Sequence, residues 1–263
     1  MITRLKIFLF VLTFFQCVSF SQWDPSSVWC IVKVNYDKLS LFAFSNEWMA
    51  RPIGSLFFIT ETKFITAHHC LQNLISPDEG YTKCKFIFVS SNGDIIQNYK
   101  LTALKPEYDL TIGEISEVGH KIYVWDLSNE YFENELVYNM GYPIKFIENR
   151  SIFKIKIEND IVLKDTIYIP VSTNTGNLLK DSSISINVEG VEIKKKKVIR
   201  TNYYTTKGYS GGPLISLENN EVIGFMFLTE FFKTNNPLEE TFDYYKGKGM
   251  AIRIRDVIKF IDE

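Results

Sequence analysis

The sequence predicts an all-β protein built from two barrels or sandwiches of about 100–120 residues each, followed by one terminal helix. Three observations lead there. First, 46% of the 263 residues are hydrophobic; Phe (21) and Tyr (14) are abundant, Ile and Val recur throughout, and Ala is scarce. β-Branched and aromatic side chains fit a pleated, half-buried surface better than a helix. Second, short strand-like segments follow one another between turn signals, without the strand–helix alternation of a parallel sheet. Third, only Ile254–Glu263 carries a helical period, with Ile254, Val257, Ile258 and Ile261 on one face. The 29 basic and 31 acidic residues nearly balance, which argues against disorder and against a basic nucleic-acid surface.

The elements follow in chain order. Arg4 and Lys6 precede the apolar run Ile7–Phe15, and small residues sit at Ser19 and Ser21. That order reads as a secretory signal peptide over residues 1–21, too short to span a bilayer comfortably. Its removal leaves 27 basic and 31 acidic residues, and a secreted or periplasmic, membrane-free protein is expected. Val28–Val34, Ile53–Thr60, Lys85–Val89, Ile95–Leu101, Leu110–Ile115 and Lys121–Trp125 then read as strands. Arg51-Pro52, Ser91-Asn92-Gly93-Asp94 and Lys105-Pro106-Glu107 are the turns between them. A second series comprises Leu136–Met140, Ile152–Ile157, Ile161–Pro170, Ser183–Val188, Val191–Tyr203, Leu214–Ser216, Glu221–Leu228 and Gly249–Ile254. The polar stretch Ser128–Asn134 divides the two series, giving domains 22–130 and 131–263. Val188-Glu189-Gly190-Val191 reads as a hairpin turn, and the lysine run Lys194–Lys197 as a solvated hairpin edge rather than a polyanion site.

Signal removal leaves Cys30, Cys70 and Cys84, and in an oxidising compartment two of them are expected to pair. Sequence does not choose among the three pairings. No Cys/His pair shows ligand spacing, so no metal and no other cofactor is expected. The three histidines are His68, His69 and His120.

Three segments carry chemistry. One runs from Gly54 to Cys70 as strand, turn and second strand ending in His68-His69. Another is Glu107-Tyr-Asp-Leu-Thr-Ile112, an aspartate that opens an apolar strand. The third is Lys207-Gly-Tyr-Ser-Gly-Gly-Pro-Leu-Ile215, a serine in a glycine-rich turn that feeds a strand. A serine hydroxyl becomes a useful nucleophile when an imidazole takes its proton. The imidazole in turn needs a carboxylate to fix its tautomer, and the developing oxyanion needs backbone N–H donors. Taken singly, each segment reads as an ordinary turn, loop or strand start; together they supply every part.

Thr66-Ala-His-His-Cys70 resembles the Thr-Ala-Ala-His-Cys motif of chymotrypsin/trypsin-like serine peptidases. Asp109-Leu-Thr-Ile resembles their Asp-Ile-Ala-Leu, and Gly208-Tyr-Ser-Gly-Gly-Pro213 their Gly-Asp-Ser-Gly-Gly-Pro. Gly54-Ser-Leu, Val137-Tyr-Asn-Met-Gly-Tyr-Pro143 and Gly249-Met-Ala-Ile252 also fit, the last two as in bacterial members. The resemblance implies two antiparallel six-stranded barrels with the site between them. It implies His69 as base, with His68 as the alternative register, Asp109 as orienting carboxylate, with Asp126 as rival, and Ser210 as nucleophile. Gly208 and Ser210 would supply the oxyanion donors.

The departures from the family pattern narrow the expectation. Tyr209 stands where animal members place an aspartate that pairs with a freed N-terminus, so bacterial relatives are the nearer comparison. Tyr204 stands where trypsin-like members bind Arg or Lys. Thr205 matches glutamyl endopeptidases, but Met226 replaces their histidine. Neither basic nor acidic recognition is supported, and Phe227-Leu-Thr229 is the strand expected to pair with substrate backbone. The expected function is a monomeric, secreted serine endopeptidase acting on protein or peptide. The alternatives are a catalytically silent binding or scaffold domain and an esterase. The esterase lacks the strand–turn–helix elbow, because Pro213–Ser216 continues as strand.

Overall fold

The computed structural model describes residues 24–39, 44–72, 76–116, 119, 121–144, 152–158, 160–188, 191–231 and 247–261. The expected signal peptide, His120 and the turn residues Glu189-Gly190 lie outside the described residues.

The first sheet contains β1 (Trp29–Leu39), β2 (Phe44–Phe58), β3 (Lys63–Ala67), β4 (Tyr81–Ser90), β5 (Ile95–Ile96), β6 (Tyr99–Lys105) and β7 (Leu110–Ile115). A one-turn helix, α1 (His69–Gln72), follows β3. Seven strands pair in the order β5-β4-β1-β2-β3-β7-β6. The outermost strands β5 and β6 are separated in sequence by Gln97 and Asn98 alone. The two edges of the sheet are thus brought near each other, and the sheet curls as a half-barrel, in line with the expected fold.

The chain continues through β8 (Leu136–Gly141), a two-stranded hairpin of β9 (Ile152–Glu158) and β10 (Ile161–Tyr168), and five further strands. These are β11 (Ser172–Val188), β12 (Val191–Thr205), β13 (Pro213–Ser216), β14 (Val222–Phe231) and β15 (Gly247–Arg253). Six of them close a second barrel in the order β11-β12-β15-β14-β13-β8, with every neighbouring pair antiparallel. The β9–β10 hairpin reaches over to the first sheet. There the Lys83 ammonium meets the Asp160 carboxylate at 3.1 Å, and Gln97 exchanges two hydrogen bonds with the Val162 backbone.

Alternation along the strands explains how both faces of the first sheet are used. Trp29, Ile31, Leu56, Phe58, Phe64 and Phe88 form one buried cluster. Their neighbours Val28, Cys30, Val32, Phe57 and Ile65 join Tyr138, Met140, Tyr142 and Phe225 of the second barrel in another. One face fills the barrel and the other packs between barrels. This is why Phe57 and Phe58 can be adjacent and both fully buried. Phe64 meets Phe58, Phe88 and Tyr99 edge-on, with ring centroids 4.9–6.1 Å apart.

The chain passes between sheets within a few residues. Val124 forms a parallel bridge to Phe58, and Leu127 forms another to Val222. The Trp125 indole donates to the Ser27 carbonyl at 2.7 Å, which anchors the crossing. Lys121–Trp125, expected as a strand, is therefore reduced to a single bridge. Conversely, β11 begins at Ser172, not Ser183, because β8 pairs along its polar first half from Ser172↔Gly141 to Asn177↔Leu136. The terminal helix is shorter than its apolar period suggests. An α-helical turn, α2 (Ile254–Val257), passes into a 3₁₀ turn at Ile258–Phe260, and Asp262-Glu263 lie outside the described residues.

The expected disulfide is not seen among the described residues, where Cys30 and Cys70 are free thiols. Cys30, in β1, packs in the cluster between the barrels, whereas Cys70, in α1, packs in the cluster inside the first barrel. Cys84 lies across from Asn35 on β1, away from both in register. Among the described residues, no helix is long and apolar enough to cross a membrane.

Replacing Phe64 by Ala should remove the hub of the first barrel's aromatic cluster at a cost of about 3–5 kcal/mol. Urea unfolding followed by tryptophan fluorescence measures it; a loss below about 1 kcal/mol would show that the cluster repacks freely.

Candidate active site

The geometry starts from Asp109. After β6, Pro106–Tyr108 form a 3₁₀ turn, and Asp109 closes it in the left-handed region (φ 47°), its N–H donating to the Pro106 carbonyl at 2.9 Å. An aspartate tolerates this conformation better than most side chains. The turn aims the carboxylate inward, where the residue is 2% exposed. Oδ1 accepts the His69 N–H at 2.8 Å, Oδ2 lies 2.7 Å from His69 Nδ1, and the Asp109 carbonyl accepts the His68 N–H at 2.9 Å. One residue thereby holds the backbone and the ring of the histidine segment.

His69 opens α1 where β3 ends. His68 points elsewhere, its Nδ1 lying 3.1 Å from the Thr111 hydroxyl. Burial pushes the His68 imidazole below its ordinary pKa, outweighing the pull of Asp109. At His69 burial also disfavours the charged ring, but Cys70 and the Asp109 carboxylate favour it more, and the pKa stands well above the ordinary value. Asp126, the rival carboxylate, is exposed and enters the fold through its carbonyl, which accepts the Val222 N–H.

Ser210 lies in a turn from the second barrel that fits against the first. Gly208 (φ +104°) and Gly211 (φ +81°) give the turn its shape. A Cβ on Gly208 would sit 2.1 Å from the Tyr142 carbonyl, and one on Gly211 would sit 2.1 Å from the Ser55 carbonyl, so neither position accepts a side chain. Met226 and the turn exchange two backbone bonds, from Gly211 N–H to the Met226 carbonyl (2.6 Å) and from Met226 N–H to the Gly212 carbonyl (2.8 Å). The Ile144 N–H occupies the Lys207 carbonyl at 2.9 Å. Because the peptide is planar and trans, the Gly208 N–H must then face the opposite way. Among the described residues, the amides of Gly208 and Ser210 donate to no acceptor.

Ser55 ties this turn to β2. Its N–H donates to the Ser210 carbonyl at 2.8 Å, and its hydroxyl donates to the Gly208 carbonyl at 2.7 Å while accepting the Tyr142 N–H at 3.1 Å. Its carbonyl accepts the Thr66 hydroxyl at 2.8 Å, and the Cys70 thiol, next to His69, donates to the Ser210 carbonyl at 3.7 Å. The structure thus joins His69 to Asp109 directly and brings Ser210 beside them through backbone contacts; the His69 ring and Ser210 hydroxyl are not hydrogen-bonded to each other. Ser55 is the residue that sequence reasoning missed. The available signal was a small polar side chain, fully buried in the structure, within an otherwise apolar strand.

The residues expected to contact substrate separate into two groups. Tyr204 is exposed at the end of β12, opposite Lys248. Thr205, Met226 and Phe227 are buried, and Met226 and Thr205 both crowd the Gly249 backbone. Thr229 stands in β14 opposite Gly249. β13 pairs with β14 only as far as Phe225, so that flank of β14 from Phe227 onward carries no strand among the described residues. Tyr209 is buried, its hydroxyl 2.9 Å from that of Ser172. No group of three His, Cys, Asp or Glu side chains is placed to hold a metal among the described residues.

Residues 54–225 match the trypsin-like peptidase domain family, more than half of the chain, and the chain belongs to that family. Solved structures share its fold. An HtrA-type protease, AlgW with a decapeptide, superposes with a TM-score of 0.61 at 15% identity, covering 90% of this chain and 64% of that one. The Rv3671c protease from M. tuberculosis, in its active form, gives a TM-score of 0.52 at 15% identity, covering 88% of this chain and 78% of that one. The chain therefore spans somewhat less than two thirds of the AlgW chain. No curated protein matches it in sequence.

Ser55→Ala should leave the Gly208 carbonyl and the Tyr142 amide without a partner in a buried place, costing about 1–3 kcal/mol of stability. Chemical unfolding of the two proteins measures the difference; equal midpoints would show that the bridge contributes nothing.

Proposed function

We propose that this chain is a serine endopeptidase that cleaves peptide bonds with Ser210 as nucleophile, His69 as base and Asp109 as orienting carboxylate. The observation that carries the reading is the 2.7 Å contact between Asp109 Oδ2 and His69 Nδ1 beside a serine turn whose Gly208 and Ser210 amides have no acceptor among the described residues. With Nδ1–H held by Asp109, Nε2 is left as the basic nitrogen. It takes the Ser210 proton as Oγ attacks the scissile carbonyl carbon. The carbonyl oxygen becomes an oxyanion held by the Gly208 and Ser210 amides. The C–N bond then breaks, the imidazolium gives its proton to the leaving amine, and an acyl-Ser210 ester remains. Water, deprotonated by the same imidazole, attacks the ester and restores Ser210.

Substrate backbone is proposed to lie, as an added strand, along the flank of β14 at Phe227–Thr229 that carries no strand among the described residues. Buried Met226 and Thr205 provide no charge for a basic or acidic side chain, which favours a small or apolar residue on the acyl side of the cut. The decapeptide bound in AlgW supports a peptide substrate. With residues 1–21 removed as a signal peptide, the enzyme would act as a secreted or periplasmic monomer. A silent binding domain is the second reading, and one observation favours it: the His69 ring and Ser210 hydroxyl are not hydrogen-bonded. Catalytic hydrogen bonds often tighten only when substrate binds.

Turnover of a peptide library tests the assignment. Ser210→Ala and His69→Ala should lower kcat by roughly 10³–10⁶, while His68→Ala leaves most activity. Loss of activity in His68→Ala with His69→Ala spared would reverse the register.

The pH dependence follows from the raised His69 pKa. The base works when neutral, so kcat/KM should rise with pH through an acid limb whose midpoint lies above the ordinary imidazole value of about 6.5. Asp109→Asn removes a cause of the upward shift and the hold on the tautomer. It should move the limb toward acid and cost on the order of 10⁴ at neutral pH. An unchanged profile in this variant would transfer the carboxylate role to another residue.

A further inference from the structure

We propose that Tyr108 is a positioning residue: its ring, held by Lys196 of the second barrel and Phe260 of the C-terminal turn, keeps Asp109 in the conformation that orients His69. This deepens the peptidase reading of the same site and rests on it for the effect on rate.

Asp109 stands in the left-handed region (φ 47°), which a side chain keeps where its surroundings enforce it. On one side the chain enters β7, where Leu110 lies between Ala67 and Lys105 in register. On the other side is the three-residue 3₁₀ turn, and little inside it fixes its place. No side chain caps it, the bond from the Asp109 N–H to the Pro106 carbonyl is local, and Glu107 is exposed. Tyr108 is the residue of the turn that packs against the cluster shared by the two barrels.

Elements distant in the chain converge on its ring. Phe260, in the 3₁₀ turn that follows α2, meets it edge-on with centroids 5.2 Å apart. The Lys196 ammonium stands 3.2 Å over the ring centroid, and that of Lys259 lies 5.8 Å away. A cation over an aromatic face is attracted by the ring quadrupole, more strongly when partly desolvated. Lys196 meets that condition, being half-buried where Lys194, Lys195 and Lys197 are exposed. The run read from sequence as a solvated edge thus turns one lysine onto the turn that leads to Asp109. Its strand is itself held. β12 pairs with β15 from Val198 onward, so Lys196 rides on the two-stranded extension of the β11–β12 hairpin. There Ile193 is fully buried, and Ile184 and Ile186 pack against the shared cluster.

A shift of Tyr108 would be felt at His69. Asp109 follows it directly, and its carbonyl, Oδ1 and Oδ2 make all three contacts to the His68 amide, the His69 amide and His69 Nδ1. Rotation out of the left-handed region swings carbonyl and carboxylate together. The groups able to act on the His69 ring by charge are His68, Cys70 and Asp109 beside it. Around Tyr108 they are Lys105, Glu107, Lys196 and Lys259.

The test reads the His69 ring itself, by NMR titration of the imidazole in the full-length protein, alongside kcat and KM for a peptide substrate. Tyr108→Ala should move the His69 midpoint toward acid, as the Asp109 contact that raises it loosens. It should also lower kcat about tenfold or more while KM changes little. Tyr108→Phe keeps the ring that makes the contacts and should match the wild type in both. Lys196→Met separates positioning from charge. Loss of a cation alone would favour the imidazolium and move the midpoint toward alkali, whereas loosening of Asp109 moves it toward acid, the shift expected here. Circular dichroism checks each fold, and Tyr108→Leu replaces Tyr108→Ala should it misfold. A folded Tyr108→Ala protein with the wild-type midpoint and kcat overturns the proposal. So does a Tyr108→Phe protein as impaired as Tyr108→Ala, or an alkaline shift in Lys196→Met. Should the wild type cleave no peptide, the peptidase reading falls, and the titration still decides whether Tyr108 holds Asp109.

Discussion

The proposed catalytic arrangement is split between two barrels and depends on how firmly they are held in register, and that register passes through the backbone and hydroxyl of Ser55. Its amide fixes the Ser210 carbonyl, its hydroxyl fixes the Gly208 carbonyl and the Tyr142 amide, and its own carbonyl is fixed by Thr66, three residues before His69. The strand that leads toward the histidine and the turn that carries the serine are therefore braced by a single residue. Glycine at 211 makes the approach possible, since any side chain would enter the Ser55 carbonyl. Buried hydrogen bonds of this kind add only about 1 kcal/mol each to stability, but leaving one unmade costs more, so the arrangement is favoured as a whole or not at all.

Within the first barrel, the left-handed Asp109 plays the corresponding part. Its conformation turns the chain out of the 3₁₀ turn and into β7 while directing the carboxylate back toward α1. Strain at one residue is offset by three hydrogen bonds to the two histidines, which gives the ring both its orientation and its raised basicity. The buried face of the first sheet supports this locally, because Leu110 and Ala67 are direct partners across β3 and β7 and bring the ends of the two segments together.

Much of this was legible in the sequence because it rests on short-range chemistry. Gly208-Tyr-Ser-Gly-Gly-Pro213 demands a tight turn, Thr66-Ala-His-His-Cys70 ends a strand, and apolar β-branched runs mark most of the strands. What the sequence hid depends on long-range partners. Ser172–Asn177 looks polar and irregular until β8 supplies its ladder. Lys121–Trp125 looks like a strand, yet is held by one bridge and an indole hydrogen bond. The cysteines look available for pairing, but Cys30 on β1 and Cys70 on α1 pack in two different buried clusters. Ser55 was invisible as a brace because its partners lie about 90 to 150 positions away. Lys196 was read as solvated because its neighbour Tyr108 belongs to the other barrel.

This bracing is proposed to deliver an activated Ser210, and reaction with a fluorophosphonate tests that most directly. Full-length protein treated with the reagent and digested for mass spectrometry should carry one adduct, on Ser210. The adduct should vanish in His69→Ala and persist in His68→Ala. A folded protein with no adduct on Ser210, or one whose labelling ignores the loss of His69, would contradict the account.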